Sequence, residues 1–260
     1  MSSLHFLGNE NSYLRIPDTD GFDFGTGDFT IEWYQYQTDS NPYPRIFQIG
    51  NYSDEMISIG VSIEVIEDLG YFYFWGETSF NVETIIQSSD YKNKWVHFAI
   101  CRSNGNRKLF LNGVLISITS DANNYNGAHD LVISNESTPS NETAFGGYIT
   151  YFSWVKGVAL YTSSFSLPTN YPTLTNDHVL LLTASNFSGT LGSSVENVNV
   201  STEQNTPTGF LSNNNPQPTP NMPNLKSMFS DNSRVFYKPG SLASCGVGSV
   251  RNSSIKSRKI

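Results

Sequence analysis

Apolar and polar residues alternate with a period of two in short stretches along most of the chain. Residues 29–34 show this best, because Phe, Ile and Trp occupy the odd positions and Thr, Glu and Tyr the even ones. A period of two places alternate side chains on opposite faces of a strand, as in an antiparallel sheet with one face in the core. No long stretch has apolar residues at spacings of three and four, so any helix is expected to be short.

Residues 95–118 give the clearest local prediction. Two apolar strands flank Asn104-Gly105, and a third follows Asn112-Gly113. Both dipeptides tolerate the positive φ angles that a two-residue hairpin turn requires. We therefore expect a β-meander. Its predicted core face consists of Phe98, Ile100, Leu109 and Leu111.

Other strands are predicted where apolar runs are bounded by Gly, Pro, Asn or Asp. They are residues 4–7, 12–17, 29–36, 46–49, 56–66, 71–75, 82–87, 131–134, 147–154, 156–160 and 179–182. A strand about every ten residues is typical of a β-sandwich or jelly roll. The composition agrees, since 13% of residues are aromatic and only 15% are charged.

The N-terminus has no basic start followed by an apolar run, and no segment is long and apolar enough to cross a bilayer. We expect no signal peptide, no membrane span and synthesis in a cytoplasm. The two cysteines, Cys101 and Cys245, are expected to be reduced, because cytosolic chains rarely keep disulfides.

Charge divides the chain into an acidic body and a basic tail. Residues 1–204 hold 8 Lys and Arg against 22 Asp and Glu, 8 − 22 = −14, whereas residues 205–260 hold 7 against 1, 7 − 1 = +6. Residues 205–225 are rich in Pro and Asn, as in an extended linker. We predict a folded unit at 1–204, a linker at 205–225 and a tail at 226–260.

The tail is expected to become ordered on an acidic partner surface. Protein is favoured over nucleic acid, because the tail lacks the density of Arg and aromatic residues typical of a nucleic-acid arm. The candidate anchoring residues are Lys226, Arg234, Lys238, Arg251, Lys256, Arg258 and Lys259.

Three segments carry a family resemblance. Residues 95–114, Trp-x-His-x-Ala followed by Arg, a Gly turn, Leu-x-Leu and Asn-Gly-Val, resemble the central hairpin of laminin-G-like, concanavalin-A-like lectin domains. Residues 27–32, Gly-Asp-Phe-Thr-Ile-Glu, resemble the family's opening strand. Residues 145–169 are similar to the closing strand and exit loop of such domains in structural proteins of phages and large DNA viruses. Those relatives usually carry an acidic residue where Thr150 or Tyr151 stands here.

The resemblance covers residues 4–187 and implies an all-β, concanavalin-A-like (laminin-G-like) antiparallel β-sandwich jelly roll with an extended C-terminal tail. It also implies a non-enzymatic structural component of a virus particle, of the minor capsid, decoration or fibre type. The partners would be other virion proteins, bound through the tail. The alternative is a carbohydrate-binding lectin that attaches to a host or another surface, and the third possibility is a glycoside hydrolase.

A lectin would need exposed aromatic rings on which sugars stack. The sequence offers Tyr34, Tyr36, Trp75 and Tyr125 as candidates, with Tyr43 and Tyr52 as further rings. A hydrolase would need paired carboxylates, and Glu64 and Asp68 are the best pair. On one strand they would lie about 13 Å apart, against about 5 Å for a retaining pair and about 6.5 to 9.5 Å for an inverting pair. No catalytic residue is therefore predicted.

The sequence gives no clear signal for a histidine-based catalytic site or for a metal site. The four histidines, His5, His97, His129 and His178, are far apart in the sequence, and the resemblance makes His97 a hydrogen-bonded sheet residue. The loops at 18–28 and 121–130 carry the oxygen ligands that calcium prefers. Turn formation explains their Asp and Asn residues equally well. No metal site is assigned, although calcium stays possible.

Overall fold

In the computed structural model, the chain forms two antiparallel β-sheets packed face to face. The structure describes residues 3–17, 22–38, 41–50, 59–76, 79–125, 129–167, 178–182 and 196–203. The predicted linker 205–225 and tail 226–260 lie outside these residues. Within the described ranges, no helix is long and apolar enough to span a membrane.

The first sheet, sheet A, has eight strands. They are β1 (Ser3–Leu7), β3 (Phe29–Gln37), β8 (Trp95–Ser103), β9 (Asn106–Leu111), β10 (Val114–Ser120), β12 (Gly146–Lys156), β13 (His178–Leu182) and β15 (Ser201–Glu203). Their order is β10-β9-β8-β3-β12-β1-β15. Because β12 is long, β1 pairs with its N-terminal part and β13 with its C-terminal part.

The second sheet, sheet B, has seven strands in the order β14-β2-β11-β4-β5-β6-β7. They are β2 (Tyr13–Ile16), β4 (Arg45–Ile49), β5 (Ile59–Ile66), β6 (Leu69–Gly76), β7 (Ser79–Gln87), β11 (Leu131–Ile133) and β14 (Glu196–Val198). A single turn of helix, α1 (Ser88–Tyr91), connects sheet B back to sheet A.

The core lies between the two sheets and is dominated by aromatic rings. Trp33 contacts Phe98 and Phe152 from within sheet A, and Phe47 of sheet B lies edge-on to Trp33. Trp154 packs on the same Phe47 ring. The predicted core face of the meander is confirmed, since all four of its residues are buried here. The predicted antiparallel β-sandwich is confirmed with it.

One irregularity in β12 keeps its large side chains in the core. Thr150 lies opposite Tyr34, but Ser153 lies opposite Glu32, so three steps on β12 match two on β3. Tyr151 takes a φ of 57° at this bulge. The extra residue allows both Phe152 and Trp154 to face inward.

Several boundaries differ from the sequence prediction. The run at 156–160 is not a strand, because β12 ends at Lys156 and the chain then leaves the sheet. The short strands β14 and β15 were not predicted, since strands of three residues with at most one apolar side chain carry no alternation signal. The hairpin turns are as predicted, with Asn104, Gly105, Asn112 and Gly113 all at positive φ.

Gly147 provides a test of the packing between β12 and β3. Its φ is +137°, and a Cβ added there would lie 2.1 Å from the Tyr36 carbonyl oxygen. Gly157 also has a positive φ, +81°, but no atom lies within 4 Å of an added Cβ. We expect Gly157→Ala to lower the free energy of unfolding by about 1 to 2 kcal/mol and Gly147→Ala by about 3 kcal/mol or more. Urea denaturation measures both, and equal losses would contradict this account of the β3–β12 contact.

Candidate functional site

The outer face of sheet A, which points away from sheet B, has a covered half and a half that none of the described loops crosses, which we call the open half. The residues that follow β12, 157–167, cross this face and cover its β8–β10 side. We call residues 157–167 the exit segment. Its rings pack on a small apolar cluster formed by Ala99, Cys101 and Phe110.

Hydrogen bonds and ring contacts hold the exit segment down. The Thr30 hydroxyl donates to the Val158 carbonyl at 2.9 Å and accepts from the Leu160 N–H at 2.9 Å. Tyr161 and Phe165 stack on each other with ring centroids 3.5 Å apart. These contacts exclude water from this half of the sheet face.

A buried polar cluster lies beneath the exit segment. His97 Nε2 is 3.1 Å from Glu32 Oε2, and the Tyr161 hydroxyl donates to the same oxygen at 3.0 Å. Glu32 and His97 are fully buried. Burial, aided by Glu32, raises the pKa of Tyr161, so the phenol stays protonated. The prediction that His97 is a hydrogen-bonded sheet residue is confirmed.

Cys101 is equally inaccessible. Burial raises its pKa to about 11, so the thiol remains protonated at neutral pH. A protonated, buried thiol is a poor nucleophile and a poor metal ligand. The covered half of the sheet face is therefore closed to ligands.

The open half of the same face carries four aromatic residues whose backbone positions lie in a line across four adjacent strands. They are Trp95 on β8, Tyr36 on β3, Tyr148 on β12 and His5 on β1, which we call the aromatic row. The register places each directly opposite the next, since Tyr36 pairs with Trp95, Tyr148 with Tyr36 and His5 with Tyr148. Ser201 on β15 lies opposite His5 and ends the line.

The rings of the aromatic row touch one another. Ring centroids are 5.9 Å apart for Trp95 and Tyr36, 6.0 Å for Tyr36 and Tyr148, and 6.4 Å for Trp95 and Tyr148, so these three rings form a triangle. His5 stacks on Tyr148 with ring centroids 4.6 Å apart. All four side chains are half-buried. Mutual contact fixes their positions while part of each ring faces solvent, which suits a preformed binding surface.

Of the four rings predicted to stack on sugars, only Tyr36 lies in the aromatic row. The expectation of exposure is wrong for the other three, because Tyr34 is 4% exposed, Trp75 2% and Tyr125 0%. Tyr34 lies two residues from Tyr36 on the same face, but it packs against His97 near the covered half. Of the further candidates, Tyr43 is half-buried outside the row, and Tyr52 lies outside the described residues.

Trp75 and Tyr125 are buried for different reasons. Trp75 is on the outer face of sheet B, where the Arg45 guanidinium lies 4.7 Å from its ring centroid. Tyr125 packs edge-on against Phe29 and Phe74 at one end of the core, and its hydroxyl donates to Asp121. A ring engaged in this way cannot stack on a ligand.

The sequence analysis did not propose Trp95, Tyr148 or His5 as sugar-binding residues. Alternation places each of them on an outward face, but only the order of the strands shows that they are neighbours. Since β12 is inserted between β3 and β1, residues separated by more than 140 positions become adjacent. That order is a property of the tertiary fold.

The two loops considered for calcium are organised by an arginine. Arg102 is 1% exposed and donates to the carbonyl oxygens of Gly25, Gly27 and Asn123. Asp121 Oδ1 lies 3.8 Å away. Burial lowers the pKa of Arg102, which nevertheless remains a cation at any ordinary pH. Its guanidinium bridges the two loops by binding their oxygens.

Arg107 completes this network. Its guanidinium donates to Asp121 Oδ2 at 2.8 Å and to Glu83, and its carbon lies 4.2 Å from the Phe74 ring centroid. The Tyr125 hydroxyl accepts a further hydrogen bond from it. Among the described residues, no three His, Cys, Asp or Glu side chains are placed to hold a metal ion together.

The carboxylates considered for catalysis do not share a strand. Strand β5 ends at Ile66, and Asp68 lies in the turn before β6. Glu64 is on β5 and accepts a 2.7 Å hydrogen bond from the Tyr73 hydroxyl. The assumption that Glu64 and Asp68 lie along one strand is therefore wrong. The seven candidate anchoring residues of the tail lie outside the described residues.

Comparison with known proteins gives a consistent picture of the fold. The family model described as the concanavalin A-like lectin/glucanases superfamily matches residues 7–160. No curated protein matches the chain in sequence.

Two solved structures illustrate the likeness. A heptameric SAP-like pentraxin from Limulus polyphemus superposes with a TM-score of 0.59 at 15% identity, over 78% of this chain and 94% of the pentraxin. A Bacteroides ovatus protein assigned to carbohydrate binding superposes with a TM-score of 0.56 at 11% identity, over 78% of this chain and 60% of that one. At these identities the likeness concerns the fold.

The arginine network predicts a large loss of stability when its centre is removed. Arg102→Met keeps much of the apolar stem but leaves three buried carbonyl groups without their donor. We expect the free energy of unfolding to fall by about 3 to 5 kcal/mol. Lys108→Met, on the neighbouring strand and half-buried, is the control and should change it by no more than about 0.5 kcal/mol. Comparable losses in the two variants would show that Arg102 is not the centre of the network.

Proposed function

Because the chain belongs to the concanavalin A-like lectin/glucanases superfamily, we propose that it is a carbohydrate-binding protein whose binding surface is the aromatic row. The observation that carries this proposal is the mutual contact of four half-buried rings on four adjacent strands. Sugar rings present apolar C–H faces that pack on aromatic rings, while Tyr, Trp and His also carry polar atoms for hydroxyl groups.

The division of the sheet face supports this choice of surface. The exit segment removes Glu32, His97 and Cys101 from contact with solvent, whereas none of the described segments crosses the aromatic row in this way. The Bacteroides ovatus protein assigned to carbohydrate binding has the same fold, which is in keeping with the proposed ligand class.

We further propose that the protein binds carbohydrate without hydrolysing it. The aromatic row contains no carboxylate. Glu32, the carboxylate on the same strand as Tyr36, is buried beneath the exit segment. Glycoside hydrolysis generally needs two accessible carboxylates that flank the scissile bond. Glu64 lies on β5 of sheet B and Asp68 in the turn that follows it, so they are not a pair along one strand.

A structural role in a virus particle stays a prediction. It depends on the resemblance of residues 145–169 and on the charge difference between residues 1–204 and 205–260. Glycan binding and incorporation into a virus particle are compatible, since the aromatic row belongs to the folded body and the proposed anchor belongs to the tail. Detection of the chain in purified particles, and its loss from them at high salt, would be the expected result for an anchored component.

Removal of the central ring tests the binding surface. We expect the protein to bind one or more glycans on an array. Tyr36→Ala should weaken the binding of those glycans by about tenfold, measured by titration calorimetry. Tyr71→Ala is the matched control, because Tyr71 is a half-buried tyrosine on the outer face of sheet B. Absence of binding to any glycan would refute the function, and equal losses in both variants would refute the site.

A further inference from the structure

The chain contains three Asn-Gly pairs, at 104–105, 112–113 and 126–127. The first two form the turns of the meander, and the third lies outside the described residues. We propose that Asn104 is a site of spontaneous deamidation in the folded protein, whereas Asn112 is protected by its contacts. The proposal concerns a covalent modification and does not depend on glycan binding.

The reaction needs no enzyme and no reagent except water. The Gly105 backbone nitrogen attacks the side-chain carbonyl carbon of Asn104 and loses its proton, so a C–N bond forms while the side-chain nitrogen leaves as ammonia. Water then opens the cyclic imide at either of its two carbonyl groups, which gives aspartate or isoaspartate. Glycine favours the attack, because it has no Cβ to hinder the nitrogen and its backbone rotates freely.

The first turn leaves the reacting groups accessible. Asn104 and Gly105 are both exposed. Among the described residues, the Asn104 side-chain amide makes one long hydrogen bond, from Nδ2 to the Ser103 hydroxyl at 3.4 Å. Apart from its two chain neighbours, the nearest atom to a Cβ added at Gly105 is the Asp121 carbonyl oxygen, at 3.8 Å. There is therefore space around the nitrogen that attacks.

Two backbone hydrogen bonds hold the first turn in place. The Asn104 N–H donates to Asp28 Oδ1 at 3.0 Å, and the Asp121 N–H donates to the Gly105 carbonyl at 2.8 Å. The turn must relax before the nitrogen can reach the side-chain carbon. Local opening of an exposed turn costs much less free energy than unfolding of the whole domain. Asn104 can therefore react while the sandwich stays folded.

The second turn has the same two residues and nearly the same backbone, with φ of 50° and 77° against 51° and 71° in the first. Its surroundings differ, because Asn112 is 7% exposed and its Oδ1 accepts a hydrogen bond from the His97 N–H at 2.9 Å. The Gly113 carbonyl accepts a hydrogen bond from the Phe165 N–H at 2.8 Å. A Cβ added at Gly113 would overlap the Phe165 carbonyl oxygen. Attack at Asn112 therefore requires the exit segment to move away.

The experiment ages the full-length protein at mildly alkaline pH, both folded and in urea. Trypsin releases residues 103–107 and 109–156 as separate peptides, because Arg102, Arg107, Lys108 and Lys156 precede the cleaved bonds. Tandem mass spectrometry then gives the deamidated fraction at each asparagine. Each event adds about one dalton and changes the formal net charge of the chain from −8 to −8 − 1 = −9.

We expect Asn104 to react at least about tenfold faster than Asn112 in the folded protein, because the two turns differ in the cost of local opening. In urea, the two rates should agree within about twofold, since both residues are followed by glycine and neither turn persists. Equal rates in the folded protein would overturn the proposal. So would a folded protein in which Asn104 does not react under conditions where the same residue reacts in urea.

One variant tests whether the exit segment provides the protection. Phe165→Ala should raise the rate at Asn112 at least about threefold and leave Asn104 within about twofold. Gly147→Ala is the control for a general loss of stability, because it weakens the β3–β12 contact away from both turns, and it should leave both rates within about twofold. An unchanged rate at Asn112 in Phe165→Ala, or an equal increase in both variants, would contradict protection by the exit segment.

Discussion

The antiparallel register of β8, β3, β12 and β1 is the constraint on which the rest of the molecule depends. Side chains alternate between the two faces of each strand, so one register determines both faces together. It places Phe98, Trp33 and Phe152 in the core and brings Trp95, Tyr36 and Tyr148 into line on the outside. A slip of one residue would expose the core rings and bury the row, and the loss of core packing makes such a slip costly.

Much of the fold follows from local pattern. Alternation identified most strands, and the Asn-Gly pairs identified both turns of the meander, because these signals involve neighbouring residues. The short strands β14 and β15 carry no such pattern, and their partners β2 and β1 lie far away in the sequence. Their pairing depends on contacts that form only when the sandwich closes.

The site was less predictable, and β3 shows why. Tyr34 and Tyr36 have the same period and the same face, yet Tyr34 is buried and Tyr36 half-buried. Alternation distinguishes inner from outer faces but not covered from open parts of an outer face. Likewise, the Asp and Asn residues near 121–125 suggested a cation, whereas the bound cation is the side chain of Arg102, which comes from a strand. Both distinctions require tertiary structure.

A crystal structure of the protein with a bound glycan is the most direct test of the central claim that the open half of the outer face of sheet A is the binding surface. The account predicts sugar in contact with the rings of Tyr36 and Tyr148. A sugar bound instead at the loops around Asp121, or on the outer face of sheet B near Tyr71, would contradict it.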